Sequence, residues 1–156
     1  MKKIIFIILC FVPLILPAQY YLIAGTYTSG QSEGIYVYRF NAETAENHFV
    51  SSTKTSNPSF VAISPNEKNI YTVNENADSL HNGGTVTAFS FDKTSGTLKL
   101  INSQRSGGNH PCYAELDKTG QWLFTGNYSS GTVGLLPVNT EGSLDSLSKL
   151  IKHRGS

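Results

Sequence analysis

Hydrophobic and polar residues alternate in short runs along this chain, and the runs recur with a period of about 50 residues, as in β-propeller blades and similar arrays. Residues 57–92 contain a short apolar run, a turn, a second run, a loop and a third run. Residues 110–139 repeat that order, with Pro111 in the place of Pro58. The sequence therefore predicts an all-β fold, a β-propeller whose blades each contain four antiparallel strands.

Period-two alternation marks the individual strands, because successive side chains of a strand point to opposite faces. The strands expected before the first whole blade are 20–28, 34–41 and 48–52, so the chain enters a blade at its second strand. The first whole blade is expected to contain strands at 60–64, 70–75, 85–92 and 98–104. The last strand expected is 144–152, from its place in the repeat, although its leucines would also line one face of a helix.

The first eighteen residues differ from the rest of the chain. Lys2 and Lys3 precede an apolar run at 4–16, and small Ala18 follows soon after, which is the pattern of a secretory signal peptide. The run is shorter than the roughly 20 residues of a membrane-spanning helix. We therefore expect a signal peptide at 1–18 and export to the periplasm or the exterior, with an uncleaved anchor as the alternative.

Residues 19–156 hold too few repeats for a closed ring, since propellers close with about 4 to 8 blades. An open stack leaves the apolar faces of its end blades without a neighbour. The sequence therefore predicts that 19–156 form a partial propeller of about three blades, truncated at the C-terminus.

Charge and cysteine content exclude several classes of partner. The formal net charge is +1, without a basic cluster or a block of like charges, so we expect neither nucleic-acid binding nor stable membrane insertion after processing. Cys112 is the only cysteine after the predicted leader, which rules out an intrachain disulfide there. We expect its thiol to be buried and inert. No paired-cysteine zinc spacing, HExxH or P-loop occurs, so we expect no metal and no cofactor.

The zigzag of a four-stranded blade sorts its loops between two ends. One end of the blade, here called the near mouth, holds the link into the inner strand and the link between the second and third strands. The other end, the far mouth, holds plain turns at 65–68, 93–96, 117–120 and 141–142. Polar and titratable residues collect at the near mouth, and function usually lies on loops held by a rigid scaffold. The candidate substrate-binding residues there are Glu75, His110, Asn127, Tyr128 and Arg154.

Each candidate also has a structural interpretation. His110 takes the place of Asn57 in the repeat, so a role in a turn is favoured over metal ligation. Glu75 is the best candidate for chemistry, since it is the only carboxylate at a strand end on this mouth. Tyr27 and Tyr128 occupy equivalent positions, which suggests packing between blades first and ligand contact second.

These motifs together resemble the lactonase family of seven-bladed propellers, whose members include a bacterial 6-phosphogluconolactonase and a fungal carboxy-muconate cyclase. The residues that carry the resemblance are GTYT at 25–28, GIY at 34–36, NPS at 57–59, VNE at 73–75, the segment 107–112, NY at 127–128, Gly131, His153, Gly155 and Ser156. The resemblance implies that the full-length protein hydrolyses a sugar lactone. It also implies that the catalytic residues lie largely beyond residue 156, so the catalytic residues stay unassigned and the segment alone is expected to be inactive.

Two functions remain open from the sequence. A lactonase needs a base that activates water, for which Glu75 or His110 is available, and donors for the oxyanion, for which Asn127, Tyr128 or Arg154 is available. The alternative is an exported, non-enzymatic binding module, because the repeats also resemble those of surface propellers and one fold hosts many functions. In both cases the expected partner is a small molecule, a lactone or a sugar-derived ligand.

Overall fold

The structure, a computed structural model, describes residues 19–77 and 83–154. In these two ranges the chain forms eleven β-strands in three antiparallel sheets, with no helix. This confirms the predicted all-β class of propeller blades. The described residues contain no helix of the length and apolarity needed to cross a membrane. The predicted signal peptide at 1–18 lies outside the described residues, as do His81, Gly155 and Ser156.

The strands follow one another across each sheet in sequence order. The first sheet contains β1 (Gln19–Gly25), β2 (Gly34–Asn41) and β3 (Asn47–Lys54). The second sheet contains β4 (Val61–Ile63), β5 (Asn69–Asn74), β6 (Thr85–Asp92) and β7 (Thr97–Arg105). The third sheet contains β8 (Pro111–Leu116), β9 (Trp122–Asn127), β10 (Thr132–Pro137) and β11 (Lys149–Lys152). Each sheet is therefore a simple meander, as the repeat predicted.

The last strand is shorter than expected. Only Lys149–Lys152 pair with β10, and before them Leu144 makes a single bridge to Val138. Leu144 is buried and Leu147 packs beside it in the core between the second and third sheets. This segment is neither a full strand nor a helix, because Leu144 and Leu147 pack between the second and third sheets.

The main core lies between the second and third sheets. Strands β5 and β6 contribute to it Tyr71, Val73, Val86 and Ala88, and the third sheet contributes Ala114, Leu123, Leu136 and Leu144. A smaller cluster of Ile35, Ile70 and Phe89 joins the first and second sheets. Because successive side chains of a strand alternate, β5 sends Ile70 to one neighbour and Tyr71 to the other, and all six of its residues are buried. Burying a large apolar side chain stabilises a fold by about 1.5–3 kcal/mol, so these interfaces hold the blades together.

Two outer strands carry a β-bulge at the same place in the repeat. The β2–β3 ladder shifts between Val37 and Tyr38, and the β6–β7 ladder shifts between Ala88 and Phe89. Each shift leaves one residue of the outer strand unpaired. A bulge of this kind increases the local twist of a strand pair.

Candidate functional site at the near mouth

One position in each blade supplies a side chain to the near mouth. It follows the second strand of the blade and is occupied by Tyr27, Glu75 and Tyr128 in the first, second and third sheets. The two tyrosines are 57% and 81% exposed, whereas Glu75 is half-buried. Three consecutive blades thus place two phenol rings and one carboxylate at the near mouth.

The first two of these side chains are hydrogen-bonded to each other. Tyr27 Oη donates to Glu75 Oε2 at 2.8 Å. This bond to the carboxylate is the main reason that the pKa of Tyr27 is raised above its ordinary value of 10.0. The phenol is protonated near neutral pH, and it holds one oxygen of Glu75, whose side chain is half-buried.

His110 and Asn57 are equivalent in structure as well as in sequence. Both precede a proline and adopt a positive φ, of 52° and 42° respectively, a region in which asparagine and histidine are enriched. Asn57 Nδ2 donates to Asn76 Oδ1 at 2.8 Å, and His110 Nδ1 lies 2.8 Å from Ser129 Oγ. His110 therefore holds a loop as Asn57 does, in agreement with the favoured role in a turn.

The loops of the second and third sheets are joined through the backbone of His110. Its N–H donates to the carbonyl oxygen of Asn76 at 3.0 Å, and its own carbonyl oxygen accepts from Tyr128 N at 2.9 Å. Within the described residues its Nε2 makes no hydrogen bond. His110 therefore lies between the loops that carry Glu75 and Tyr128, with one ring nitrogen available to a ligand.

Asn127 does not reach the opening, contrary to the expectation that it lines the substrate site. Its side chain is only 3% exposed, and Nδ2 donates to Ser106 O at 3.1 Å and to Thr132 Oγ1 at 3.2 Å. The reason is the alternation along β9, which turns Leu123, Thr125 and Asn127 toward the second sheet. Asn127 therefore holds the link into β8.

Asn74 has the same role in the second sheet, but there both the nitrogen and the oxygen of the side-chain amide are hydrogen-bonded. Nδ2 donates to Thr55 Oγ1 and Ser56 O, and Oδ1 accepts from Thr85 and Thr87. In the third sheet Gly134 replaces Thr87, and Asn127 Oδ1 is buried without a partner among the described residues.

Arg154 lies at the same end of the molecule as the other candidates. It follows β11 and is exposed, and His153 N donates to Gly131 O at 3.0 Å, which anchors this segment beside the loop after β9. Arg154 is therefore on the third blade, next to the loop that carries Tyr128.

Cys112 is exposed, so the expectation of a buried thiol was wrong. Pro111 pairs with Asn127 and Tyr113 with Gly126, which leaves Cys112 as the extra residue of a bulge at the start of β8. A bulge residue is not held in the ladder, and here its side chain turns to solvent.

The far mouth has a different chemistry, as the sorting of loops predicted. Glu67 lies in the turn between β4 and β5, at the opposite end of β5 from Glu75, and is paired there with Lys93. Asp117, in the turn before β9, accepts hydrogen bonds from Thr119 and from backbone N–H groups, which lower its pKa to about 2. These carboxylates shape turns.

The near mouth offers a carboxylate, a histidine nitrogen and phenol groups, a set suited to acid–base chemistry and hydrogen bonding. In the described ranges no three His, Cys, Asp or Glu residues converge as a metal site requires. The Tyr27–Glu75 bond was not anticipated from the sequence, although the repeat places both residues at one position.

Comparison with known proteins gives concordant matches. The family model "Lactonase, 7-bladed beta-propeller" matches residues 21–156. A 6-phosphogluconolactonase of Bacillus subtilis (strain 168) is 39% identical over 132 residues, which is 84% of this chain and 37% of that protein. A 6-phosphogluconolactonase of Formosa agariphila is 33% identical over 86% of this chain and 38% of its own length.

Solved structures agree with these relatives. The periplasmic gluconolactonase of Pseudomonas aeruginosa superposes with a TM-score of 0.79 and is 37% identical, over 87% of this chain and 39% of that chain. The chain thus spans less than two fifths of the length of each of these three relatives.

Proposed function

Because the chain belongs to the lactonase family of seven-bladed β-propellers, we propose that the whole protein hydrolyses the ester of a sugar lactone at the near mouth. The observation that carries the proposal is the match to the family model over residues 21–156, together with relatives named 6-phosphogluconolactonase and gluconolactonase. The near mouth supports it, since each of three consecutive blades places a polar side chain at that end.

In this reaction a water molecule adds to the lactone carbonyl carbon, and the ring C–O bond then breaks. Glu75 is proposed as the base that takes the proton from water, because its carboxylate is held by Tyr27 and remains half-exposed. The proton passes to the ring oxygen as it leaves as a hydroxyl group, and the product is the open hydroxy acid. The reaction written in this way consumes only the lactone and water, and no cofactor takes part in it.

The carbonyl oxygen becomes negatively charged during the addition and needs hydrogen-bond donors. His110, Tyr128 and Arg154 are proposed for this contact, because they are the candidates of the third blade whose side chains are exposed or half-buried. Asn127 is assigned a supporting role, because its buried amide holds the link that presents His110.

Export belongs to the same proposal. The leader-like residues 1–18 would direct the propeller part, 19–156, out of the cytoplasm, and one relative is a periplasmic gluconolactonase. The proposed partner is a small lactone or a sugar-derived ligand; neither nucleic acid nor a membrane is proposed as a partner. Recovery of intact Met1 from cytosolic material by N-terminal sequencing would contradict export.

The activity is tested by following acid release from glucono-δ-lactone and its 6-phosphate in a pH-stat, against the spontaneous rate. Glu75→Gln is expected to lower kcat by about 10²–10⁴-fold, the usual contribution of a general base. Glu67→Gln is the matched control, since it alters a carboxylate at the other end of the same strand. Equal rates in Glu75→Gln and Glu67→Gln would remove Glu75 from the mechanism. Saturable binding of the lactone without turnover would favour the non-enzymatic binding module.

A further inference from the structure

Asn57 lies between the loops that carry Tyr27 and Glu75, the hydrogen-bonded pair of the near mouth. It directly precedes Pro58 in the link that enters the second blade, and it is half-buried. Its φ of 42° lies in the left-handed region, in which asparagine is several-fold enriched over most other residues. The backbone at this position therefore restricts which residues can occupy it.

The side-chain amide of Asn57 reaches the loop of the first blade. Its Oδ1 accepts two hydrogen bonds from Thr28, one from the backbone N at 2.9 Å and one from Oγ1 at 3.1 Å. The backbone N–H of Asn57 donates in return to Thr28 Oγ1 at 3.2 Å. Because Thr28 directly follows Tyr27, these three hydrogen bonds hold the main chain beside the phenol.

The same residue also holds the loop of the second blade. The carbonyl oxygen of Asn57 accepts from Glu75 N at 3.0 Å, and its Nδ2 donates to Asn76 Oδ1 at 2.8 Å. The residue that carries the carboxylate and the residue after it are therefore both bonded to Asn57. One asparagine thus joins the loop of Tyr27 to the loop of Glu75.

The two blades are in close contact beside Asn57. A Cβ at Gly25 would lie 1.9 Å from Pro58 O, so the first blade can approach Pro58 in this way only with glycine at the end of β1. Gly25 lies two residues before Tyr27, and Pro58 directly follows Asn57. Packing therefore restricts movement of the two loops that the Tyr27–Glu75 bond connects.

The third blade provides an internal comparison, because His110 takes the place of Asn57 there. The side chain of His110 bonds to Ser129 of its own blade. Only its backbone reaches the preceding blade, where its N–H donates to Asn76 O at 3.0 Å. Of these two equivalent residues, as the structure describes them, Asn57 is therefore the one whose side chain bonds to the loops of two blades.

We propose that Asn57 is a positioning residue of the near-mouth site, which keeps the phenol of Tyr27 and the carboxylate of Glu75 in hydrogen-bonding contact. Asn57 acts through these two residues, and it is assigned no contact with the reacting atoms. A reacting group that is held in one place needs no reorientation during the reaction, which is the benefit of such a residue. The inference rests on the proposed hydrolysis only where it concerns turnover, since the Tyr27–Glu75 contact can be measured without a substrate.

The first test is a pH titration of Tyr27 by NMR, with ring-labelled tyrosine, in the whole protein. Asn57→Gly tolerates the positive φ and removes the amide. It is expected to lower the pKa of Tyr27 toward 10.0, because the hydrogen bond to Glu75 is the main cause of the raised value. Asn41→Gly is the matched control, since Asn41 Oδ1 accepts hydrogen bonds only from its own turn, at the far mouth, and it is expected to leave this titration unchanged.

Asn57→His separates positioning from a role in the turn alone. His110 shows that histidine fits this turn, so the variant is expected to keep nearly the wild-type stability against denaturant. The pKa of Tyr27 is nevertheless expected to fall, because the imidazole replaces the amide oxygen that accepts from Thr28. A wild-type titration of Tyr27 in both Asn57→Gly and Asn57→His would overturn the inference.

Turnover of glucono-δ-lactone gives a separate readout. Asn57→Gly is expected to lower kcat by about 10–100-fold, the usual cost of a misplaced reacting group. KM is expected to stay nearly unchanged, because the donors proposed for the carbonyl oxygen lie on the third blade. A higher KM with an unchanged kcat would overturn the positioning role. If the wild-type protein hydrolyses no lactone, the proposed function fails, whereas the titration of Tyr27 still decides this inference.

Discussion

Tyr27 Oη lies 2.8 Å from Glu75 Oε2, and this hydrogen bond joins the loop after β1 to the loop after β5. The two residues are 48 positions apart in sequence. Their contact is therefore produced by the stacking of one blade on the next. The carboxylate proposed as the base is held by a neighbouring blade, so its position depends on the packing of β1 and β2 as well as on its own sheet.

Glu75→Gln is expected to lower the pKa of Tyr27 toward 10.0. The carboxylate of Glu75 favours the protonated phenol through its hydrogen bond and its charge, and an amide supplies no charge. The measurement is a pH titration of Tyr27 by NMR with ring-labelled tyrosine. Glu67→Gln, at the far mouth, is expected to leave the titration of Tyr27 unchanged; a Tyr27 midpoint equal in wild type and Glu75→Gln would contradict the bond.

Asn74→Ala is expected to destabilise the fold more than Asn127→Ala does, although the two residues are equivalent in the repeat. Removing Asn74 breaks its hydrogen bonds to Thr55, Ser56 and the buried Thr87, at a cost of about 2–4 kcal/mol. Asn127→Ala also removes a buried acceptor that has no partner, so its cost is expected to be about 1 kcal/mol smaller. Denaturant unfolding of both variants measures the difference, and a larger loss in Asn127→Ala would contradict it.

Leu123→Ala and Phe124→Ala compare the two faces of β9. Leu123 is fully buried between the second and third sheets, and its truncation is expected to cost about 2–5 kcal/mol. Phe124 is 37% exposed on the other face, so its truncation is expected to cost clearly less in the isolated chain, about 1 kcal/mol. Chemical denaturation of both variants checks the order, and equal losses would contradict the assignment of the faces.

Acid is expected to weaken the turn that Asp117 organises. Hydrogen bonds from Thr119 and from the backbone stabilise the ionised carboxylate, so its pKa in the folded chain is about 2, below the ordinary 3.8. The stabilisation is complete above pH 3.8 and is lost as the pH falls through about 2. Carboxyl carbon chemical shifts followed by NMR give the midpoint, and Asp117→Asn should flatten the dependence of stability on pH in this interval.

Residues 19–156 expressed alone are expected to self-associate. Phe124, Val133 and Leu135 occupy the places that Tyr71, Val86 and Ala88 fill in the second sheet, where the same face is buried against a neighbouring blade. Apolar surface of this kind promotes association. Light scattering measures the mass, and Phe124→Glu combined with Leu135→Glu is expected to shift the population toward monomer. A monodisperse, cooperatively unfolding wild-type monomer would contradict the prediction.

Much of the fold follows from the sequence, because the repeat locates the strands and alternation locates their faces. Residues 34–41 and 85–92 were predicted with the bounds observed, and Glu75 and Glu67 lie at opposite ends of β5 as expected. The exposure of two side chains could not be predicted from the sequence, because it depends on how one blade packs against the next or on a single extra residue in a strand. Asn127 is buried because another sheet covers it, and Cys112 is exposed because a bulge interrupts β8.

The bulges in the outer strands have a consequence for insertions and deletions. In a regular ladder the loss of one residue turns every following side chain to the opposite face. Val50 and Ile101 are the residues that β3 and β7 contain in excess of their partners. Deleting either one joins two stretches that are already in phase, so the outer strand becomes straighter but keeps its faces. The outer strands of the first and second sheets can therefore lose one residue at that point and still pair correctly, whereas the fully buried β5, which has no such spare residue, cannot.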